Sequence, residues 1–219
     1  MPLILHENIE KGEIGLWKVT EEVEALLLMA KLSIPDVLTY SLISATHRKR
    51  EWLATRALLQ ELSHEPCLIK YHSDGRPYLE NSPVNISISH STGYVAVLLH
   101  TSGAPGIDIE LINRQVGRVA SRFLSPDELA ACNENAERSN HRKLLHWCAK
   151  EAIFKMVPFS DIEFATHIRI LINKSDLDSG TFQGFFNDKT GPIPITLYYN
   201  ITNEVLIVWG WVDHVKFNL

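Results

Sequence analysis

The chain has 219 residues, 45% of them hydrophobic and 21% charged, with a formal net charge of −5. That much apolar surface can offset chain entropy, which excludes a disordered chain, and the acidic balance argues against a general nucleic-acid partner. No apolar run approaches the roughly 18 residues a bilayer-crossing helix needs, so no membrane span is expected.

In chain order, the opening MPLILHENIEKGEIGLWKV has no basic start followed by an apolar core and does not read as a secretory signal. Ile14–Val19 reads as a strand, and a Pro-initiated segment runs from Ser33 to Leu42. Ser44 or Thr46 can cap a helix through Arg48–Ser63, with Trp52, Leu53, Leu59 and Leu62 as its apolar stripe and Pro66 as its stop. Leu68–His72 is extended, Ser73–Pro77 is a turn, and the strands Asn85–His90 and Tyr94–His100 pair across Ser91-Thr92-Gly93. Ser102–Pro105 reads as a break. A strand, Gly106–Ile112, follows, then helical segments through Arg118–Glu137 and a longer helix, His141–Met156, stopped by Pro158. The remainder is β-rich: His167–Ile172, a turn around Asp176–Gly180, then Ile195–Ile201 and Glu204–Val212.

The two halves resemble each other. His47–Leu59 and His141–Phe154 share HRK and then W-x-A-x-x-A, which sets Arg56 opposite Glu151 when the tryptophans are superposed. The fold class expected is α+β: two similar lobes of pseudo-two-fold symmetry, 1–104 and 105–219, each a helix on a mainly antiparallel sheet. A cleft between such lobes is a preferred ligand site. Two lobes in one chain favour a monomer.

Strand alternation puts Asp108 and Glu110 on one face and Ile107 and Ile109 on the other. Two carboxylates so close repel unless a cation sits between them; the ordinary alternative is an acidic solvent face. Trp147, Glu151 and Lys155, spaced i, i+4 and i+8, share one helical face. Here the alternative is a surface Glu–Lys pair beside a core tryptophan. Three carboxylates without soft ligands suit a hard ion, Mg²⁺. The ten histidines show no HxxxH or HExxH spacing, which disfavours zinc.

The basic run His47–Arg50 with Arg56 behind it can serve a small polyanion, or be a solvated helix face. Gly75 and Pro77 set a turn that projects Arg76, and Ser89 and His90 can donate to phosphate oxygens. No GxxxxGK[ST] loop is present. Cys67, Cys132 and Cys148 have neither ligand nor disulfide spacing, which favours a reducing compartment and hence the cytoplasm.

Taken in order, these residues resemble the phosphopantetheinyl transferase family, in its larger two-lobed type. Gly75-Arg76-Pro77 leading to Ser89-His90-Ser91 is similar to its first motif, Gly106–Glu110 (GIDIE) to its second, and Trp147–Lys155 (W-x-x-K-E-A-x-x-K) to its third. Arg122–Glu128 and the EWLATR helix are similar to further family segments. One departure is Ser87, where many members carry asparagine.

The resemblance implies Mg²⁺ held by Asp108, Glu110 and Glu151, with coenzyme A as co-substrate. It implies coenzyme A phosphates met by Arg48, Arg56, Arg76, Ser89 and His90, and charge on the pyrophosphate neutralised by Lys150 and Lys155. Glu151 is implied as the base, assisted by Asp108 and Lys155. The partner implied is an apo acyl or peptidyl carrier protein of fatty-acid, polyketide or peptide synthesis; which one is left open. The apolar stretch Ala152–Phe159 is a docking candidate for it, or ordinary core. Two other readings compete: a Mg²⁺-dependent nucleotide pyrophosphohydrolase, and a non-catalytic coenzyme A or carrier-binding homologue. No REx₂E-type helix supports the first, and none of the three carboxylates is missing, as the second would require.

Overall fold

Tyr94–His100 is apolar at nearly every position, so it must be covered on both faces and belongs inside a sheet. In the computed structural model, which describes residues 2–63, 67–159, 161–172, 179–189, 191–202 and 204–213, it is a central strand. The Pro66 stop, and the expected turn up to residue 178, lie outside those residues. The chain divides into two compact units, Met1–Gly103 and Ala104–Leu219.

The first unit is built on an antiparallel sheet of β1 (Leu3–Ile9), β2 (Gly12–Lys18), β5 (Asn85–Ser91) and β6 (Tyr94–His100), in the order β1-β2-β6-β5. The helix α3 (Thr46–Ser63) lies on it, and Leu53, Ala57, Leu58 and Leu62 pack with Trp17, Val95 and Val97. Two short helices precede α3: α1 (Val23–Ala30), which packs on it, and α2 (Ile34–Ser41). Ser33 caps α2, its Oγ accepting from the Asp36 amide at 3.2 Å, and Asp36 is the only residue of α2 that is buried. The hairpin β3 (Ile69–Tyr71) and β4 (Pro77–Leu79) turns at Gly75, whose φ of +86° favours glycine.

The second unit has the sheet β7 (Gly103–Leu111), β11 (Val205–Asp213), β10 (Gly191–Ile201), β9 (Ser179–Asp188) and β8 (Ile168–Leu171), in that spatial order. A 3-10 turn (Gly117–Arg122) and α4 (Pro126–Asn133) lead into α5 (Ser139–Met156), and α6 (Phe164–His167) precedes β8. A capping box starts α4: Ser125 accepts from the Glu128 amide, and the Glu128 carboxylate accepts from the Ser125 amide. Leu144, Cys148, Ala152 and Ile153 of α5 meet Ile195, Leu197, Leu206 and Val208 of the sheet. Each unit thus sets one 18-residue helix against a sheet, as the α+β expectation has it.

One reading needs correction. Ser102–Pro105 is no break, because Gly103, Ala104 and Pro105 already belong to β7. A proline is tolerated there because β7 is an edge strand, where an amide can be spared. Within Ala152–Phe159, Ala152, Ile153, Met156 and Val157 are buried, in line with the core alternative for that stretch.

Gly106 fixes how closely α5 approaches β7. A Cβ there would collide with the Ala152 carbonyl and stand 2.6 Å from Met156 Cγ. We expect Gly106→Ala to destabilise the fold by about 1–3 kcal/mol, the usual cost of overpacking, measured by urea unfolding. An unchanged midpoint would mean that α5 yields at no cost.

Candidate functional site

Gly106, Asp108 and Glu110 alternate along β7 onto the face beneath α5. The helix runs back along the strand, so successive residues of β7 meet earlier and earlier turns of α5. Gly106 meets Ala152 and Met156. Asp108 Oδ1 accepts from Lys155 Nζ at 3.0 Å, and the same ammonium donates to the Ile107 carbonyl at 2.7 Å. Glu110 Oε1 accepts from Trp147 Nε1 at 3.0 Å. Trp147 and Lys155 therefore clamp the two acids, and Glu151 lies midway between them on the same helical face.

The surroundings are dry: Asp108 and Glu110 are 6% and 8% exposed. Burial, and then the negative charge of Asp108, push the Glu151 carboxyl up to about 7, against the pull of Lys155 and Arg114. The buried Cys148 thiol is held well above its usual range by burial and by the charge and hydrogen bond of Asp108. Arg114 forms an ion pair with Glu110, and its guanidinium stands 5.5 Å from the centre of the Trp147 ring.

Asp108 and Glu151 thus come together as expected, whereas Glu110 turns to Arg114 and Trp147. Among the described residues, no group of three or more His, Cys, Asp or Glu side chains is arranged to hold a metal ion. Carboxylates this close recruit cations, and Lys155 and Arg114 supply them. The chemistry of Asp108 and Glu151 fits a hard divalent ion: two carboxyl groups, one raised towards neutrality by burial and then by its neighbour's charge.

Lys150 is not part of this group. It is fully buried, and its three N–H donors go to Glu128 Oε2 at 2.7 Å, the Phe164 carbonyl at 2.9 Å and the Ile168 carbonyl at 2.7 Å. Glu128 also accepts from the Ile170 amide at 2.8 Å. With every proton engaged, Lys150 ties α4, α6 and β8 to α5 and has none left for a phosphate.

The first unit holds its own cavity of about 330 Å³, lined by Arg48, Trp52, Arg56, Tyr71 and His90 among others. Arg56 is buried there, donating from Nε to Asp36 Oδ1 at 2.7 Å and lying 3.2 Å from the centre of the Trp52 ring. Burial lowers its pKa, and Asp36 opposes that. Arg48 is exposed at the rim, 3.7 Å from Glu51. Two expected contributors are elsewhere. Ser89 alternates to the other face of β5, and Arg76 sits on the β3–β4 turn, 3.3 Å from Asp74. Reading the sequence missed Arg114 and Cys148; the first signals itself only as the residue four after Glu110, the second only as a thiol inside the tryptophan segment.

Residues 104–207 match the family described as the 4'-phosphopantetheinyl transferase superfamily, so Gly75–Pro77 and Ser89–Ser91 fall outside the match. The chain is 34% identical over 113 residues to 4'-phosphopantetheinyl transferase AcpT of Salmonella typhi, covering 49% of this chain and 58% of that one. It is 32% identical over 115 residues to AcpT of Escherichia coli O157:H7, covering 49% and 57%. The match therefore spans less than two thirds of these relatives' length. No helix among the described residues is long and apolar enough to cross a membrane.

A carboxyl raised from 4.5 to about 7 stabilises the fold while protonated, and that contribution is lost as pH rises through the folded value. In EDTA, the melting temperature of Glu151→Gln should therefore gain on the wild type as pH rises from about 4.5 to about 7. A difference that stays flat over this window would show that Glu151 ionises without penalty.

Proposed function

We propose, from the match of residues 104–207 to the 4'-phosphopantetheinyl transferase superfamily, that this chain belongs to that family and moves the phosphopantetheine arm of coenzyme A onto a serine of an apo acyl or peptidyl carrier protein. The observation that carries the reading is Glu151: a carboxyl in dry surroundings beside Asp108, poised at about 7 and flanked on its own helix face by Lys155. A group so poised can accept a proton at neutral pH or share a cation with its neighbour.

In the proposed reaction the serine Oγ bonds to the β-phosphorus of coenzyme A. The bond from that phosphorus to the bridging oxygen breaks, and adenosine 3',5'-bisphosphate leaves. The serine proton passes to Glu151, directly or through one water. Asp108 and Glu151, joined by Glu110, would hold Mg²⁺, which when bound draws charge from the pyrophosphate oxygens. Lys155 would add a positive charge beside Asp108, where negative charge builds as the bond breaks. Arg48, Arg56 and His90 are the proposed contacts for the nucleotide's phosphates, within the cavity of the first unit. Free Cys67, Cys132 and Cys148 suit a reducing compartment, and we place the protein in the cytoplasm, as a monomer.

Intact-mass spectrometry of an apo-carrier incubated with the protein, coenzyme A and Mg²⁺ tests the reaction. We expect a gain of one phosphopantetheine, abolished by EDTA; free adenosine 3',5'-bisphosphate without any carrier adduct would instead indicate hydrolysis. Glu151→Gln should fold and bind coenzyme A yet turn over about a hundred-fold or more slowly. Near-normal turnover in that variant would remove Glu151 from the base role.

A further inference from the structure

The geometry points to Arg114 as a resident counter-ion that a divalent cation has to displace from Glu110, so that this one side chain tunes metal affinity. The inference rests on the proposed role of Asp108, Glu110 and Glu151, and deepens it.

The backbone of Arg114 is fixed. Its amide donates to the Leu111 carbonyl at 2.9 Å, and its own carbonyl accepts from Asn140 Nδ2 of α5 at 2.9 Å. Asn140 Oδ1 also accepts from the Val116 amide at 3.2 Å, so the chain on both sides of this turn is fastened to α5. The side chain is different. It is 45% exposed, while the Glu110 carboxylate it pairs with is only 10% exposed. A guanidinium on a pinned backbone with a half-exposed stem can leave its partner by rotamer change alone, with no refolding.

Its position gives that movement a consequence. Arg114 holds the same carboxylate oxygen, Glu110 Oε1, that Trp147 Nε1 holds, and its charge also acts on Glu151. While the guanidinium stays, Glu110 is committed to it and the third carboxylate does not join the other two. Lys155 cannot play this part, because its ammonium is also held by the Ile107 carbonyl. A divalent ion recruiting Glu110 must therefore break the Arg114 pair, and binds more weakly by the worth of that pair. The displaced guanidinium stays tethered at the turn, within reach of solvent.

The test is Mn²⁺ titrated into the metal-free full-length chain without coenzyme A, with free Mn²⁺ read by electron paramagnetic resonance. Arg114→Gln removes the charge and should bind Mn²⁺ about three- to ten-fold tighter, as expected for losing a half-exposed competing ion pair. Arg114→Lys keeps a cation and should stay near the wild type. Equal or weaker binding by Arg114→Gln, with the wild type binding, overturns this inference and leaves the acidic site standing. If the wild type binds no Mn²⁺, or Asp108→Asn binds it as well as the wild type does, the metal reading of the site falls and takes this inference with it.

Discussion

A helix can approach a strand only as closely as the side chains between them allow, and at Gly106 there is none. The backbone of α5 comes down onto β7 there, with the Ala152 carbonyl where a Cβ would stand. That contact sets the register for the remainder of the strand. One step of the pleat further on, Lys155 reaches Asp108; one more, and Trp147 reaches Glu110. Glu151 is delivered to its neighbours by a helix already seated, so its awkward protonation is imposed from outside rather than chosen locally.

The seat is held from the other side by polar groups. Lys150 is adjacent to Glu151 in sequence but points away from it, into the contact with Glu128 and the carbonyls of residues 164 and 168. Burying an ammonium costs several kcal/mol, and such a pair is retained where all donors and acceptors are matched, as they are here. The first unit shows a parallel arrangement at the corresponding helix position. Arg56 stands four residues after Trp52, as Glu151 stands four after Trp147, and both are short of water. Arg56 has a buried partner of opposite charge in Asp36, whereas Glu151 faces Asp108, a charge of its own sign. One position is thereby settled and the other left unsettled.

Much of this was legible in the sequence, for reasons of period. Two-residue alternation places Asp108 with Glu110, and the four-residue step places Trp147, Glu151 and Lys155 on one face. Direction was harder to read. A motif names Lys150 and Glu151 side by side, yet a 100° step separates a core residue from a site residue, and similarity to a family carries residue types rather than their orientations. Ser89 misled in the same way, since a strand neighbour of His90 must point to the other face. Arg114 lies past the end of the strand, in a turn with no period to trace. The Gly-Ala-Pro run misled because punctuation residues break interior strands but not the edge of a sheet.

The first unit does not hold all its parts with equal strength. The helix α2 buries Asp36 and no other residue, while Ile34, Val37 and Leu38 are 80%, 51% and 65% exposed. Its attachment therefore rests on two contacts, the charge pair of Asp36 with Arg56 and the Tyr40 ring, which packs against the core 6.1 Å from the ring of Trp52. Elements anchored so sparsely detach in local openings that cost far less than global unfolding, and their amides exchange with solvent hydrogen ahead of the strands behind them. The segment covering 34–41 is thus a separate, shallow layer of stability, fastened to a deep one by little more than Asp36 and Tyr40.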